Sequence, residues 1–522
     1  MLTAVVTTAC LLAAYCTWNY ASKLKSVNYL PGMRPPLSAL SIFGALMPTS
    51  WWNPGLNWSW EWRKTNYFNY KHEVISMVPL IGQPAYYTCS LPVMKQLLKE
   101  ESKLGLIKHP EMTSAVSIWG QNLLTANGDV WKRHRRIVGP AFTNKTYDLV
   151  WRQAAALYED MVRAAKWENE QMVTVRNINQ YTRSVRQIAL MIISRCGFGL
   201  LMPWKDPNTE TAEEEMSFST ALEWVSATTI PWRLVLPRWS YRLPIRWLRN
   251  MEHAWSSLAV HMNMFIETKA QELAGIIDGD DHVQRGDIFT RLVTAMDSSG
   301  KTGLEKQEVI GNTFALMFAG HETTANVLAA TLGFLAIHQD EQEKAYQEIS
   351  AAIPADRGLG AEDVAKLTHT LACFHESARM FPAGNMLPRD FIDDVTVNVT
   401  SPTPGTIVFP KGSRIIIDMV AIHHNPETFP DPDVWRPSRW YGVSEHDLTM
   451  FGAGPRVCVG RKFTQVEAAC FLAHFLRDWK LDVELCNGET REQHEERVMG
   501  ITKLTGIAFG VGPVDLKLIA RK

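Results

Sequence analysis

The chain is short of paired cysteines. Its eight stand at 10, 16, 89, 196, 373, 458, 470 and 486, with no Cys-x-x-Cys spacing and no dense framework. That excludes a disulfide-stapled scaffold and points to a reducing compartment. An excess of either charge is also missing: net charge is −1 and the pI is near 7.0, so nothing in the balance points to nucleic acid or a polyanionic partner. Charged side chains are absent from Leu2 to Tyr20, and proline is absent from Glu305 to Gln339. What is present is length, 522 residues with 46% hydrophobic content, enough to bury a large core.

The uncharged amino-terminal stretch is close to the ~20 residues that span a hydrocarbon core as a helix. Lys23 and Lys25 follow it and no Lys or Arg precedes it, so the positive-inside rule places the bulk of the protein on the cytosolic side. The competing reading, a cleaved secretory signal, lacks its basic leading region. Residues 1–22 are therefore expected to be a transmembrane anchor. Residues 23–50 are expected to be a linker stiffened by Leu30-Pro31-Gly32-Met33-Arg34-Pro35-Pro36, and 51–522 the catalytic body. Trp51, Trp52, Trp58, Trp60 and Trp62 suit either an interface or ordinary core packing.

Near the carboxyl end, Phe451-Gly452-Ala453-Gly454-Pro455-Arg456-Val457-Cys458-Val459-Gly460 places one cysteine in a glycine-spaced loop before a helical pattern over Val459 to Asp478. Gly452, Gly454 and Gly460 permit a tight turn and close approach to a flat cofactor. A sulfur at a helix N-terminus sits in a field that favours thiolate, the form that ligates metal. Arg456 can pair with a carboxylate on that cofactor. The plainer reading of Cys458 is a small buried hydrophobe.

The ordered set Phe-x-x-Gly-x-Arg-x-Cys-x-Gly resembles the haem-binding loop of the cytochrome P450 monooxygenases, in which the cysteine is the proximal iron ligand. The resemblance implies haem b, held by Phe451, Arg456, Cys458 and Gly460. Four further segments follow the family's order. Gly128 to Arg136 sets Trp131 and Arg135 one helical turn apart, similar to the Trp-x-x-x-Arg helix that holds a haem propionate. Asp129 stands there where the family usually has Glu. Lys132, Arg133 and Arg136, with Arg461 and Lys462, would form a cationic face for an acidic electron donor.

Glu305 to Gln339 reads as one long helix, and its middle, Ala319-Gly320-His321-Glu322-Thr323-Thr324, resembles the family's Ala/Gly-Gly-x-Asp/Glu-Thr-Thr signature. A buried carboxylate and hydroxyl are costly without work or partners, and a structural hydrogen-bond network is the competing reading. The small pair would let the helix pass close to the cofactor and open locally for dioxygen. Thr323 would hydrogen-bond reduced dioxygen, Glu322 would relay protons and Thr324 would support them. His321 is expected to be packed or solvated.

Glu376 and Arg379 lie at i and i+3 of a helix over Thr368 to Met380. With Arg439 they resemble the family's Glu-x-x-Arg plus Arg triad, although Trp435 departs from the usual phenylalanine of that segment. Arg389 falls where relatives contact a second propionate. His423-His424 departs from a family His-Arg pair, and no third ligand at suitable spacing suggests zinc. Polar breaks are read at Asp206 to Glu215 and Asp278 to Arg285, and a last hairpin over Ile501 to Gly510.

The resemblance implies a mainly α (α+β) fold, a large helical body with a small β-rich subdomain. It also implies insertion of one oxygen atom from O2 into a lipophilic molecule such as a terpenoid, sterol, fatty acid or aromatic. No flavin-binding segment follows Lys522, so electrons are expected from a separate NADPH-cytochrome reductase, with the enzyme on the endoplasmic reticulum membrane. A haem-thiolate isomerase or dehydratase, or a haem-based gas sensor, are the other classes. The Glu322-Thr323 pair and the basic run argue against the isomerase.

Overall fold

The computed structural model describes residues 2–63, 71–101, 103–178, 185–202, 216–226, 232–233, 236–275, 287–296, 303–353, 357–486, 488–505 and 508–521. The polar breaks read at 206–215 and 278–285 lie outside the described residues. The chain divides into two compact units, interleaved in sequence: 1–112, 385–434 and 452–457 form the first, and 113–384, 435–451 and 458–522 the second.

The first unit is built on a sheet. Its strands are β1 (Gly32–Met33), β2 (Val74–Met77), β3 (Ala85–Thr88), β4 (Leu106–Ile107), β5 (Met386–Phe391) and β8 (Arg414–Asp418), while β6 (Val395–Val399) and β7 (Gly405–Phe409) pair as a separate hairpin. The sheet order is β1-β2-β3-β8-β5-β4, with β1–β2 and β3–β8 parallel and the other pairs antiparallel. Alternate side chains serve two cores. Val74, Tyr86, Ile415 and Ile417 join one and Ile75, Tyr87 and Ile416 the other, as a period of two requires when both faces are covered. Trp58 is fully buried in the second core with its ring edge-on to Tyr87, as core packing requires, whereas Trp51 is 91% exposed.

Helix α1 (Leu2–Ser26) runs past residue 22 and ends in this unit, with Tyr20 and Leu24 against the first core and Lys23 Nζ donating to the Leu80 carbonyl at 2.8 Å. No helix among the described residues is long and apolar enough to cross a membrane, so the expected transmembrane anchor is not supported. Thr7, Thr8, Thr17 and Asn19 dilute its apolar face, and the side chains of 1–5 lie outside the described residues.

The second unit is helical. Its main members are α2 (Gly128–Val138), α3 (Asn144–Ala165), α4 (Val185–Phe198), α5 (Arg246–Ala274), α6 (Lys306–Ile337), α7 (Thr368–Met380) and α8 (Arg461–Asp478). Helix α6 is buried along nearly its whole length, which is why its sequence is apolar all round and not striped. Glu305 and Glu308 close a capping box at its start, satisfying backbone donors that the first turn leaves open. The closing hairpin pairs Thr502–Thr505 with Ala508–Val511.

Candidate functional site

In the second unit Cys458 stands just ahead of α8, its N–H donating to the Phe451 carbonyl at 3.0 Å and Gly460 capping the helix. The thiol is accessible on one side. Burial by the surrounding protein nevertheless raises its pKa, against the pull of the Gly460 and Arg461 N–H groups and the charges of Arg135 and Arg461. The helix-end field expected from sequence is therefore present but outweighed by desolvation; a bound cation would reverse that balance. Trp131 is buried on α2. One turn on, Arg135 is lowered chiefly by burial and raised by Cys458, which places the two within electrostatic reach.

Of the loop glycines, Gly452 and Gly454 adopt left-handed φ of 80° and 69°. A Cβ on Gly454 would lie 2.0 Å from the Leu98 carbonyl oxygen, inside the first unit. Gly460 has ordinary φ, and a Cβ there would meet only the Cys458 sulfur at 3.9 Å, so its smallness leaves space beside the thiol.

Helix α6 brings Glu322, Thr323 and Thr324 together, but without the expected local opening: it is continuous, and Thr323 and Thr324 donate to the Ala319 and Gly320 carbonyls at 2.9 and 3.0 Å. Thr324 also meets Thr464 of α8 at 3.3 Å. Gly320 has a packing reason as well, since a Cβ there would stand 2.9 Å from Ile193 of α4. His321 is buried. Its Nδ1 faces the Met317 carbonyl at 2.8 Å and its Nε2 lies 3.3 Å from Glu322 Oε1.

Glu376 and Arg379 are fully buried and joined by two hydrogen bonds of 2.9 Å, with Arg439 Nε at 3.2 Å from Glu376 Oε1. Sequence reasoning missed the rest of the shell. The Arg436 N–H and the Trp440 indole each donate to Glu376 at 2.9 Å. Trp435, the departure from the family pattern, uses the N–H that phenylalanine lacks to reach Ser377 Oγ at 3.1 Å and stacks on Phe334 at 5.1 Å.

The basic face is smaller than expected. Arg133 turns to Glu308 on α6, and Arg461 and Lys462 both approach Glu445, at 3.2 and 3.8 Å; Lys132 and Arg136 are exposed on α2, Lys132 paired with Asp129 at 2.9 Å. His134 bridges the same helices, with Nε2 3.2 Å from Glu308 and Nδ1 2.8 Å from Asn312 Nδ2, so α2 is tied to α6 through four side chains, Arg133, His134, Glu308 and Asn312.

In the first unit Arg389 and Arg456 converge on Glu101, with Nε to Oε1 distances of 2.9 and 3.0 Å. Lys108 lies close enough that burial, then Arg389 and Arg456, pull its pKa to about 7. Neither Glu101 nor Lys108 carried a motif in the sequence. Two guanidinium groups and a lysine poised near neutrality around one carboxylate leave excess positive charge in a sheltered place, the complement of a cofactor bearing two propionates. The chemistry of the donors fits haem: a thiol at a helix start can ligate its iron, and arginine and lysine side chains suit its carboxylates. No cluster of metal-ligating side chains is found among the described residues, and His424 pairs with Asp433 at 3.2 Å.

Comparison with known proteins agrees with this chemistry. The family model described as cytochrome P450 matches residues 47–508. Cytochrome P450 monooxygenase 124 of Postia placenta is 30% identical over 492 residues, 92% of each chain, and cytochrome P450 4d8 of Drosophila melanogaster is 28% identical over 74% of this chain and 84% of its own. A crystal structure of a cytochrome P450 superposes with a TM-score of 0.69 at 19% identity, covering 94% of this chain and 99% of that one.

Proposed function

The chain belongs to the cytochrome P450 family of haem monooxygenases, and from that premise we propose which of its residues act and on what. When bound, the haem supplies reductive activation of dioxygen and insertion of one oxygen atom into a C–H or C=C bond. Cys458 is its thiolate ligand. Trp131, Arg135, Arg389, Arg456 and Lys108 would receive its carboxylates. Glu376, Arg379 and Arg439 hold the segment that precedes the cysteine loop, a positioning role.

The observation that carries the oxygen-activating reading is the His321–Glu322 contact. Nδ1 faces the Met317 carbonyl at 2.8 Å and Nε2 approaches Oε1 at 3.3 Å, an electrostatic contact and not a hydrogen bond, so a buried imidazole stands beside the buried carboxyl group. Glu322, buried and next to Thr323 in the chain, would relay a proton through the Thr323 hydroxyl. Apolar neighbours along α6 keep bulk water away from that transfer.

The substrate is a lipophilic small molecule, and electrons come from a separate NADPH-dependent flavoprotein docking over Lys132 and Arg136. The protein associates with the cytosolic surface of the endoplasmic reticulum membrane through α1, without spanning it; the exposure of Val6, Leu11, Leu12, Tyr15 and Trp18 supports this. Reconstitution with an NADPH-cytochrome reductase and a panel of terpenoids, sterols, fatty acids and aromatics tests the reading. Mass gains of one oxygen that require NADPH support it, and rearranged product formed without electrons overturns it in favour of the isomerase class.

A further inference from the structure

A cleft of about 470 Å³ opens in the second unit between the 118–119 loop, Arg233 with residues 236–241, the middle of α5 and the first turn of α6. Its size suits a small molecule. One wall is apolar and rigid. Trp119 stacks on Trp255 at 5.4 Å with 16° between the planes, and its carbonyl accepts from Gln307 Nε2 at 2.7 Å. Gly120, at φ 129°, lets this loop lie against α6, where a Cβ would come within 2.2 Å of the Gln307 carbonyl oxygen.

Two donors on this cleft are unmet. The Trp119 indole N–H is buried with no acceptor among the described residues, a cost that an arriving acceptor would remove. Arg238 lines the cleft, is exposed and has no ion pair among the described residues. Arg233 is committed differently: it pairs with Glu252 and lies over the Tyr241 and Trp255 rings at 4.8 and 5.4 Å, holding the wall together. An aromatic wall carrying one unmet N–H and one unmatched guanidinium is complementary to a flat ring bearing a carboxylate.

We propose that this cleft is a binding site for a planar aromatic carboxylate, its ring against Ile118, Trp119 and Leu236 and its carboxylate at Arg238 and the Trp119 N–H. The site is distinct from the cysteine loop and does not depend on the oxidation assigned there.

Equilibrium dialysis of the full-length haem-loaded protein with 2-naphthoate tests it, with saturating imidazole present to occupy the iron. Binding is expected to survive imidazole, to weaken about tenfold in Arg238→Gln through loss of a charge-assisted contact, and to weaken severalfold in Trp119→Phe. Neutral 2-methylnaphthalene should be insensitive to Arg238→Gln. The carbon monoxide difference spectrum, expected to be unchanged in both variants, reports folding and the haem assignment separately. Loss of naphthoate binding on adding imidazole, or wild-type affinity in both variants, would overturn the proposal.

Discussion

His321 Nε2 lies 3.3 Å from Glu322 Oε1 inside an apolar helix, with His321 Nδ1 turned to the Met317 carbonyl, so the buried acid has a buried imidazole at its side. Neighbours in sequence rarely face each other on a helix, so the contact is a specific choice of rotamers. It gives the acid of the long helix a partner that the sequence motif alone does not name.

If Glu322 delivers a proton through Thr323, Thr323→Ala should raise peroxide released per NADPH consumed, and His321→Phe, which acts only through its neighbour, should lower coupled product about tenfold, less than loss of a group that transfers the proton itself. Peroxide and product assayed together decide it. Unchanged coupling in both variants would remove the relay.

Glu376 accepts hydrogen bonds from Arg379, Arg439, Trp440 and the Arg436 backbone. Removing it leaves a fully buried guanidinium without its counter-charge, at a cost of about 3–5 kcal/mol. Glu376→Ala is expected to express without haem. A variant that loads haem fully and merely turns over more slowly would contradict the structural role.

Gly320 separates two explanations. If its smallness serves packing on Ile193, Gly320→Val should cost about 1–3 kcal/mol by overpacking, and adding Ile193→Ala should recover most of it in thermal melts. No recovery would show that the space is needed for something other than Ile193.

Burial holds the His375 imidazole at about 4, against 6.5 for an exposed one, and Gln465 Nε2 approaches its Nε2 at 3.1 Å, so the neutral ring accepts. The unfolded chain then takes up the proton first. Stability from this group is complete above pH 6.5 and is lost as pH falls toward 4, by about 3 kcal/mol. Denaturant melts from pH 7 to 4.5 should show a shallower acid loss in His375→Phe than in the parent, and identical slopes would refute it.

What could be read without coordinates was whatever local chain spacing carries. Cys458, the Trp131–Arg135 turn and the Thr368–Met380 helix are of this kind, because glycine spacing and helical period are short-range signals. Glu101 was invisible, since its partner Arg389 is 288 residues away and neither stands in an unusual local pattern. The same holds for Asn312 with His134, 178 residues apart. Arg133 misled for the opposite reason: a run of like charges suggests a solvated face, while tertiary packing drew one member to Glu308.

The most direct measurement is the carbon monoxide difference spectrum of the reduced protein, with Cys458→Ser beside the parent. The parent should show the red-shifted Soret band of a thiolate-ligated haem, and the serine variant should lose it. A serine variant that keeps the band would contradict the assignment of Cys458 as ligand.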